Sequence, residues 1–170
     1  RRGGADAVLV ASTHGSAPEY HGNAVSQLSV CLGLTPAETV AHILARCSGT
    51  VSAIYFSMSQ EDVHTIMCDM HVAIGSDGSA FSLQDTQGLT SPHTRNIATF
   101  PRFQQTVREH RLMALQVAGY KMTALPAAIL GLRDRGTLEP GKAADITVFD
   151  YESVCDQCTF TESLVAPSGI

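Results

Sequence analysis

His71-Val72-Ala73-Ile74-Gly75-Ser76-Asp77-Gly78 is a short apolar run that ends in a carboxylate set between two glycines. Val72, Ala73 and Ile74 read as a buried strand. Gly75 and Gly78 bracket Ser76-Asp77 in a sharp turn, and the glycines are expected to take the backbone angles that other residues resist. A carboxylate at the carboxyl end of a buried strand stands where α/β barrels place reacting groups. The same residues also fit a plain loop in which Asp77 caps the next element. The flanking sequence has to separate these readings.

Upstream, residues 51–56 (Val-Ser-Ala-Ile-Tyr-Phe) form a second strand-like run. Between the two runs, Ser59-x-x-Asp62 is a helix-start signature, with Val63, Ile66, Met67 and Met70 at helical spacing behind it. Strand, helix, strand over 51–77 predicts a parallel crossover, because the connection is too long for a hairpin. Residues 5–12 give an earlier buried strand. Val25, Leu28 and Leu32 predict a helix that Gly33 ends. Thr35-Pro36-Ala37-Glu38 starts another, with Thr35 as N-cap, Glu38 completing a capping box and an inner face of Val40, Ile43 and Leu44. The alternation predicts an α/β fold.

Downstream, residues 79–96 lack periodicity and read as a long loop just past the carboxylate. Phe100-Pro101 is expected to open a helix with Phe103 and Val107 inward. Leu112, Leu115 and Met122 mark a further helix, and Thr123 is expected to cap a last short one before Gly131. Gly136 to Lys142 contains a Pro-Gly turn, and residues 144–150 (Ala-Asp-Ile-Thr-Val-Phe-Asp) read as a strand.

Composition narrows the function classes. A chain of 170 residues with 44% hydrophobic and 16% charged residues is globular rather than disordered. A net charge of -5, with no basic cluster beyond Arg1-Arg2, argues against a nucleic-acid surface. No apolar run reaches the ~20 residues of a membrane helix, so no membrane partner is expected. The start on Arg-Arg-Gly-Gly offers no signal peptide and suggests part of a longer product. An odd set of cysteines (Cys31, Cys47, Cys68, Cys155, Cys158) fits reduced thiols and a cytoplasmic location. Cys155-x-x-Cys158 is half of a zinc knuckle or a redox pair, with no second pair to complete it.

Several motifs, in this order, resemble one family. They are Ile74-Gly75-Ser76-Asp77-Gly78, Pro92-His93-Thr94-Arg95, Thr99-Phe100-Pro101-Arg102 and Lys121-Met122-Thr123-Ala124-Leu125-Pro126-Ala127. Leu130-Gly131-Leu132-Arg133-Asp134-Arg135-Gly136 and the run from Pro140 to Asp150 continue the match, and Tyr55-Phe56-Ser57-Met58-Ser59 precedes it. Together they resemble the D-aminoacylase, or N-acyl-D-amino-acid deacylase, branch of the metal-dependent amidohydrolases. The resemblance implies the carboxyl-terminal part of a (β/α)8 TIM barrel over residues 1–135. Residues 136–170 would be a segment returning to a small β-sandwich, plus a tail. On that pattern 5–12, 51–56 and 71–74 are the last barrel strands.

The resemblance also implies chemistry. Family members are zinc hydrolases that remove an acyl group from the nitrogen of a D-amino acid. Asp77 matches the carboxylate that moves a proton between water and the leaving amine, and it is a possible shared metal ligand. The remaining zinc ligands are expected outside this chain, in a missing amino-terminal barrel portion. Tyr55 and Met58 match a wall of the substrate side-chain pocket, with core packing as the alternative. His93 and Arg95 are candidate substrate contacts, Arg95 through a substrate carboxylate. His14, His21, His42, His64, His71 and His110 are not expected to ligate metal. The expected partner is therefore a small-molecule N-acyl amino acid. The competing reading is a truncated or degenerate, non-catalytic piece that lacks the metal site. Open strand edges and an uncovered apolar face are expected to make the isolated chain poorly soluble.

Overall fold

In the computed structural model, which describes residues 3–80, 93–160 and 162–170, the run at 5–12 becomes strand β1 (Val8–Ser12) after a 3-10 turn at Ala5–Ala7. Strand β2 is Ser52–Tyr55. The two pair antiparallel, with Val8 opposite Tyr55, Leu9 opposite Ile54, Val10 opposite Ala53 and Ser12 opposite Ser52 across a local irregularity. This corrects the expectation that they are successive parallel barrel strands. The chain leaves β1 and enters β2 at the same end. The connection between them is helix α1 (Val25–Leu32) and helix α2 (Pro36–Arg46), which meet at 89°. Residues 22–24 cover the other edge of β1: Gly22 N–H donates to Val10 O at 2.9 Å and Val10 N–H to Asn23 O at 3.0 Å. The second strand has no such cover among the described residues, and Ser52, Ala53 and Tyr55 are exposed.

Helices α1 and α2 follow the sequence signals closely. Gly33 closes α1 in the left-handed region at φ 66°, where glycine is unstrained. Thr35 and Glu38 form the expected reciprocal box, Glu38 accepting from Thr35 N at 2.9 Å and from its hydroxyl at 2.7 Å. The inner face differs. Val40 and Leu44 are about two-fifths exposed, while Thr39 and Ile43 are buried. Thr39 is accommodated inside because its hydroxyl donates to Ser29 Oγ at 2.9 Å, and Ser29 donates to Val25 O at 2.7 Å. Val10, Ala17, Tyr20, Leu28, Ile43 and Cys47 make the core of this first unit, with Val51 against it. The unit comprises the described parts of Arg1–Met58, Ala80–Thr94 and Thr159–Leu164.

The second unit takes Ser59–Ser79, Arg95–Cys158 and Val165–Ile170. Ser59 caps helix α3 (Gln60–Cys68) as expected, accepting from Asp62 N at 3.0 Å. Helix α4 runs Arg95–His110, so it begins six residues before Pro101, which lies buried inside it. Pro101 is thus not the helix opener that its sequence position suggests. Helix α5 is Leu115–Met122 and helix α6 is Ala124–Ile129. Thr123 does not cap α6 with its side chain; its hydroxyl donates back to Gly119 O at 2.8 Å. Phe103, Val107 and Ala118 are the core, with Met67, Ile74, Met113 and Met122 packed around them. The segment 150–158 is tied to α4. Arg102 pairs with Asp156 at 2.5 Å, Gln105 Oε1 accepts from Asp156 N at 3.1 Å, and Arg108 donates to the carbonyls of Tyr151 and Val154.

Two expected strands are not strands. Residues 71–74 and 144–150 are irregular chain without ladder partners among the described residues, and His71 closes a turn. A strand is defined by its neighbour, and an apolar run alone does not supply one. Ile146 and Val148 remain largely exposed. Most of the long loop expected at 79–96 lies outside the described residues.

Candidate active site

Asp77 sits on an irregular segment held by α3 at its start and by α5 further along. At its start, Asp69 ends α3. The Asp69 carboxylate accepts from His71 N at 2.8 Å and meets His71 Nδ1 at 3.3 Å. The bond from the His71 amide is the main reason its pKa lies below the ordinary carboxylate value. Further along, Ile74 N–H donates to Lys121 O at 3.0 Å on the last turn of α5, and the Ile74 side chain packs on the Phe103 core. The chain then turns outward and presents Asp77.

The turn differs from the sequence expectation in one instructive way. Neither Gly75 nor Gly78 takes a positive φ; Asp77 itself does, at 49°. Aspartate tolerates the left-handed region better than most residues, yet the conformation is less favourable for it than for glycine. Gly78 is needed for a different reason. A Cβ there would stand 2.7 Å from Asn96 Oδ1 and 3.1 Å from Asn96 Cα. That close approach lets Ser79 N–H donate to Asn96 Oδ1 at 2.7 Å, fixing the loop on the first turn of α4. The Asp77 side chain is 88% exposed, and its Oδ2 lies 3.3 Å from Arg95 Nη1. Among the described residues the carboxylate meets that guanidinium and no helix amide, which disfavours a simple cap. A water-accessible carboxylate on a loop anchored at both sides is able to accept and return a proton.

The structure brings Asp77 and Arg95 together within the second unit. Tyr55, Met58 and His93 belong to the first. Tyr55 ends β2 and is 57% exposed, and Met58 in the following loop is 76% exposed, so neither joins the core of the first unit. His93 stacks edge-on against Phe160, with ring centroids 5.6 Å apart, and Phe160 in turn meets Phe56 at 5.2 Å. Phe160 carried no signal in the sequence, because its partners are distant along the chain. Lys121 opens one of the family-like motifs and Asn96 falls in the expected loop at 79–96, and neither carried a role in the sequence.

Among the described residues no three His, Cys, Asp or Glu side chains converge as metal donors. Asp77 alone does not fit a zinc site. His21 is occupied otherwise: its Nε2 accepts from Thr13 N at 2.9 Å and lies 2.7 Å from the Thr13 hydroxyl. His42 meets the Tyr20 hydroxyl at 3.3 Å, and His64 stacks on His110 at 4.6 Å. The Cys155 thiol donates to Gln105 Oε1 and the Cys158 thiol to Val165 O. Burial raises the Cys158 pKa, which favours the neutral thiol over a metal-binding thiolate.

Comparison with known proteins matches this chain to a family. The chain is 37% identical over 154 residues to the N-acyl-D-aspartate deacylase of Alcaligenes xylosoxydans xylosoxydans, covering 90% of this chain and 28% of that protein. It is 36% identical to the N-acyl-D-glutamate deacylase of the same organism, covering 90% and 29%. Among solved structures, the N-acyl-D-glutamate deacylase from Bordetella bronchiseptica, complexed with zinc and a phosphonate inhibitor, superposes with a TM-score of 0.80 at 33% identity. That match covers 99% of this chain and 33% of the other. A D-aminoacylase structure gives a TM-score of 0.77 at 32% identity, covering 95% and 32%. The chain thus spans less than a third of the length of the curated relatives it matches. Residues 64–162, which include Asp77 and Arg95, match the amidohydrolase family, and the chain belongs to that family.

Proposed function

We propose that the protein hydrolyses the amide bond of N-acyl-D-amino acids, with this chain supplying the carboxyl-terminal part of a (β/α)8 barrel and Asp77 acting as general acid/base. The observation that carries this reading is the exposed Asp77 carboxylate, anchored on both sides and 3.3 Å from Arg95, in a chain similar to named deacylases. Asp77 takes a proton from the attacking water as oxygen bonds to the amide carbon. The same carboxyl returns it to the nitrogen as the C–N bond breaks, releasing a carboxylate and a D-amino acid. Arg95 exchanges its pairing with Asp77 for the substrate carboxylate, which frees the base as substrate arrives. On the resemblance, Tyr55, Met58 and His93 also contact substrate. Zinc is the proposed cofactor, held by residues outside this chain, with Asp77 as a shared ligand at most. The proposed remainder is the amino-terminal barrel portion, residues 136–170 return to a β-sandwich, and the proposed location is the cytoplasm, which the free thiols fit.

The test is a chiral assay of the zinc-loaded full-length protein with N-acetyl-D-aspartate, N-acetyl-D-glutamate, apolar N-acetyl-D-amino acids and their L-enantiomers. Release of D-amino acids is expected. Absence of hydrolysis, or preference for the L-series, overturns the reading.

A further inference from the structure

Lys121 is the one lysine with no exposed surface among the described residues, and the proposed chemistry does not use it. A buried ammonium is costly unless it is paired or hydrogen-bonded. Its Nζ donates to the backbone carbonyl of Asp69, an oxygen that also accepts from Val72 N at 3.2 Å. Its own carbonyl accepts from Ile74 N at 3.0 Å. That carbonyl belongs to the last turn of α5, where carbonyls lack partners within the helix. One residue therefore grips both ends of 69–74, the stretch that runs directly into the Asp77 turn. The Asp69 carboxylate lies close enough to feel the same charge. On the far side of Asp77, Asn96 holds Ser79. Between these anchors the chain has little freedom to shift.

We propose that Lys121 is a positioning residue for Asp77. Its ammonium and its carbonyl together fix the path of 69–74 on α5, and so fix where the carboxylate stands. The inference rests on Asp77 being the proton-transfer group. Misplacement of about 1 Å by a remote change is enough to cost a reaction ~100-fold.

The experiment uses the zinc-loaded full-length protein with Lys121→Met, which keeps an apolar stem and removes the donor. A fall in kcat of about tenfold or more is expected, with KM within about twofold. Amide exchange at Val72 and Ile74 should quicken while the α4 core amides around Val107 stay protected. Ile43→Ala, in the separate core of the first unit, is the control: it should lower the melting temperature and leave kcat unchanged. Lys121→Gln, whose donor is one bond shorter, should recover part of kcat and also serves if Lys121→Met does not fold. Unchanged kcat in a folded Lys121 variant overturns the proposal. So does exchange that quickens equally across the whole core. A wild type that fails to hydrolyse any N-acyl-D-amino acid, yet shows the local exchange change on Lys121→Met, counts against the proposed reaction and leaves the anchoring intact.

Discussion

At the residue scale the informative feature is the backbone of Asp77. Its φ of 49° puts a carboxylate where glycine would be more comfortable. Such a conformation persists when its surroundings over-determine it, and Ile74, Gly78 and Asn96 do so here. Two substitutions separate strain from charge. Asp77→Gly and Asp77→Ala both remove the carboxylate, but alanine keeps the strain. Asp77→Gly should be more stable than Asp77→Ala by about 0.5–1 kcal/mol in chemical denaturation. Equal stabilities would mean the turn relaxes freely. Gly78→Ala should instead disturb the loop, because its Cβ meets Asn96 Oδ1 at 2.7 Å; loss of activity with a modest drop in melting temperature is expected. The Arg95 pair contributes little stability, since the Asp77 side chain is 88% exposed.

At the element scale, legibility tracks the reach of the interactions. The capping box of α2, the Ser59 cap of α3 and the Gly33 stop of α1 were readable because each is settled within a few residues. Thr35→Ala should cost α2 about 1 kcal/mol, measured by thermal or urea unfolding. The Thr35 hydroxyl and amide hold the charged form of Glu38 and place its pKa below the ordinary glutamate value. A carboxyl with a lowered folded pKa contributes stability above its unfolded value and loses it as pH falls through the folded one. The Glu38→Gln difference should accordingly shrink below pH 4.5; a difference that grows there contradicts the box. What failed depended on distant partners. The strand at 71–74 failed because an apolar run does not reveal whether a ladder neighbour exists. The inner face of α2 failed because Thr39 is buried by a hydroxyl relay to Ser29 that no hydrophobic pattern marks. The start of α4 was missed because Pro101 looks like a first-turn proline and instead sits in mid-helix.

At the scale of the whole molecule, the family was legible and the pairing of β1 with β2 was not. Motif order carries the first; the pairing joins residues far apart along the chain, such as Val8 and Tyr55, which no local pattern marks. In the second unit Leu130, Leu138, Ile146 and Val148 are 62–82% exposed apart from any cover among the described residues. The 170-residue chain expressed by itself should therefore bind a hydrophobic dye and self-associate; a monomer with no dye binding and a cooperative melt would contradict this. The central claim is that Asp77 performs the proton transfer, and one measurement bears on it most directly. In the zinc-loaded full-length protein, Asp77→Asn keeps the shape of the side chain and removes its basicity. The account predicts an unchanged fold by circular dichroism and a loss of turnover of N-acyl-D-amino acid of about 100-fold or more; turnover retained within a few-fold of wild type would contradict it.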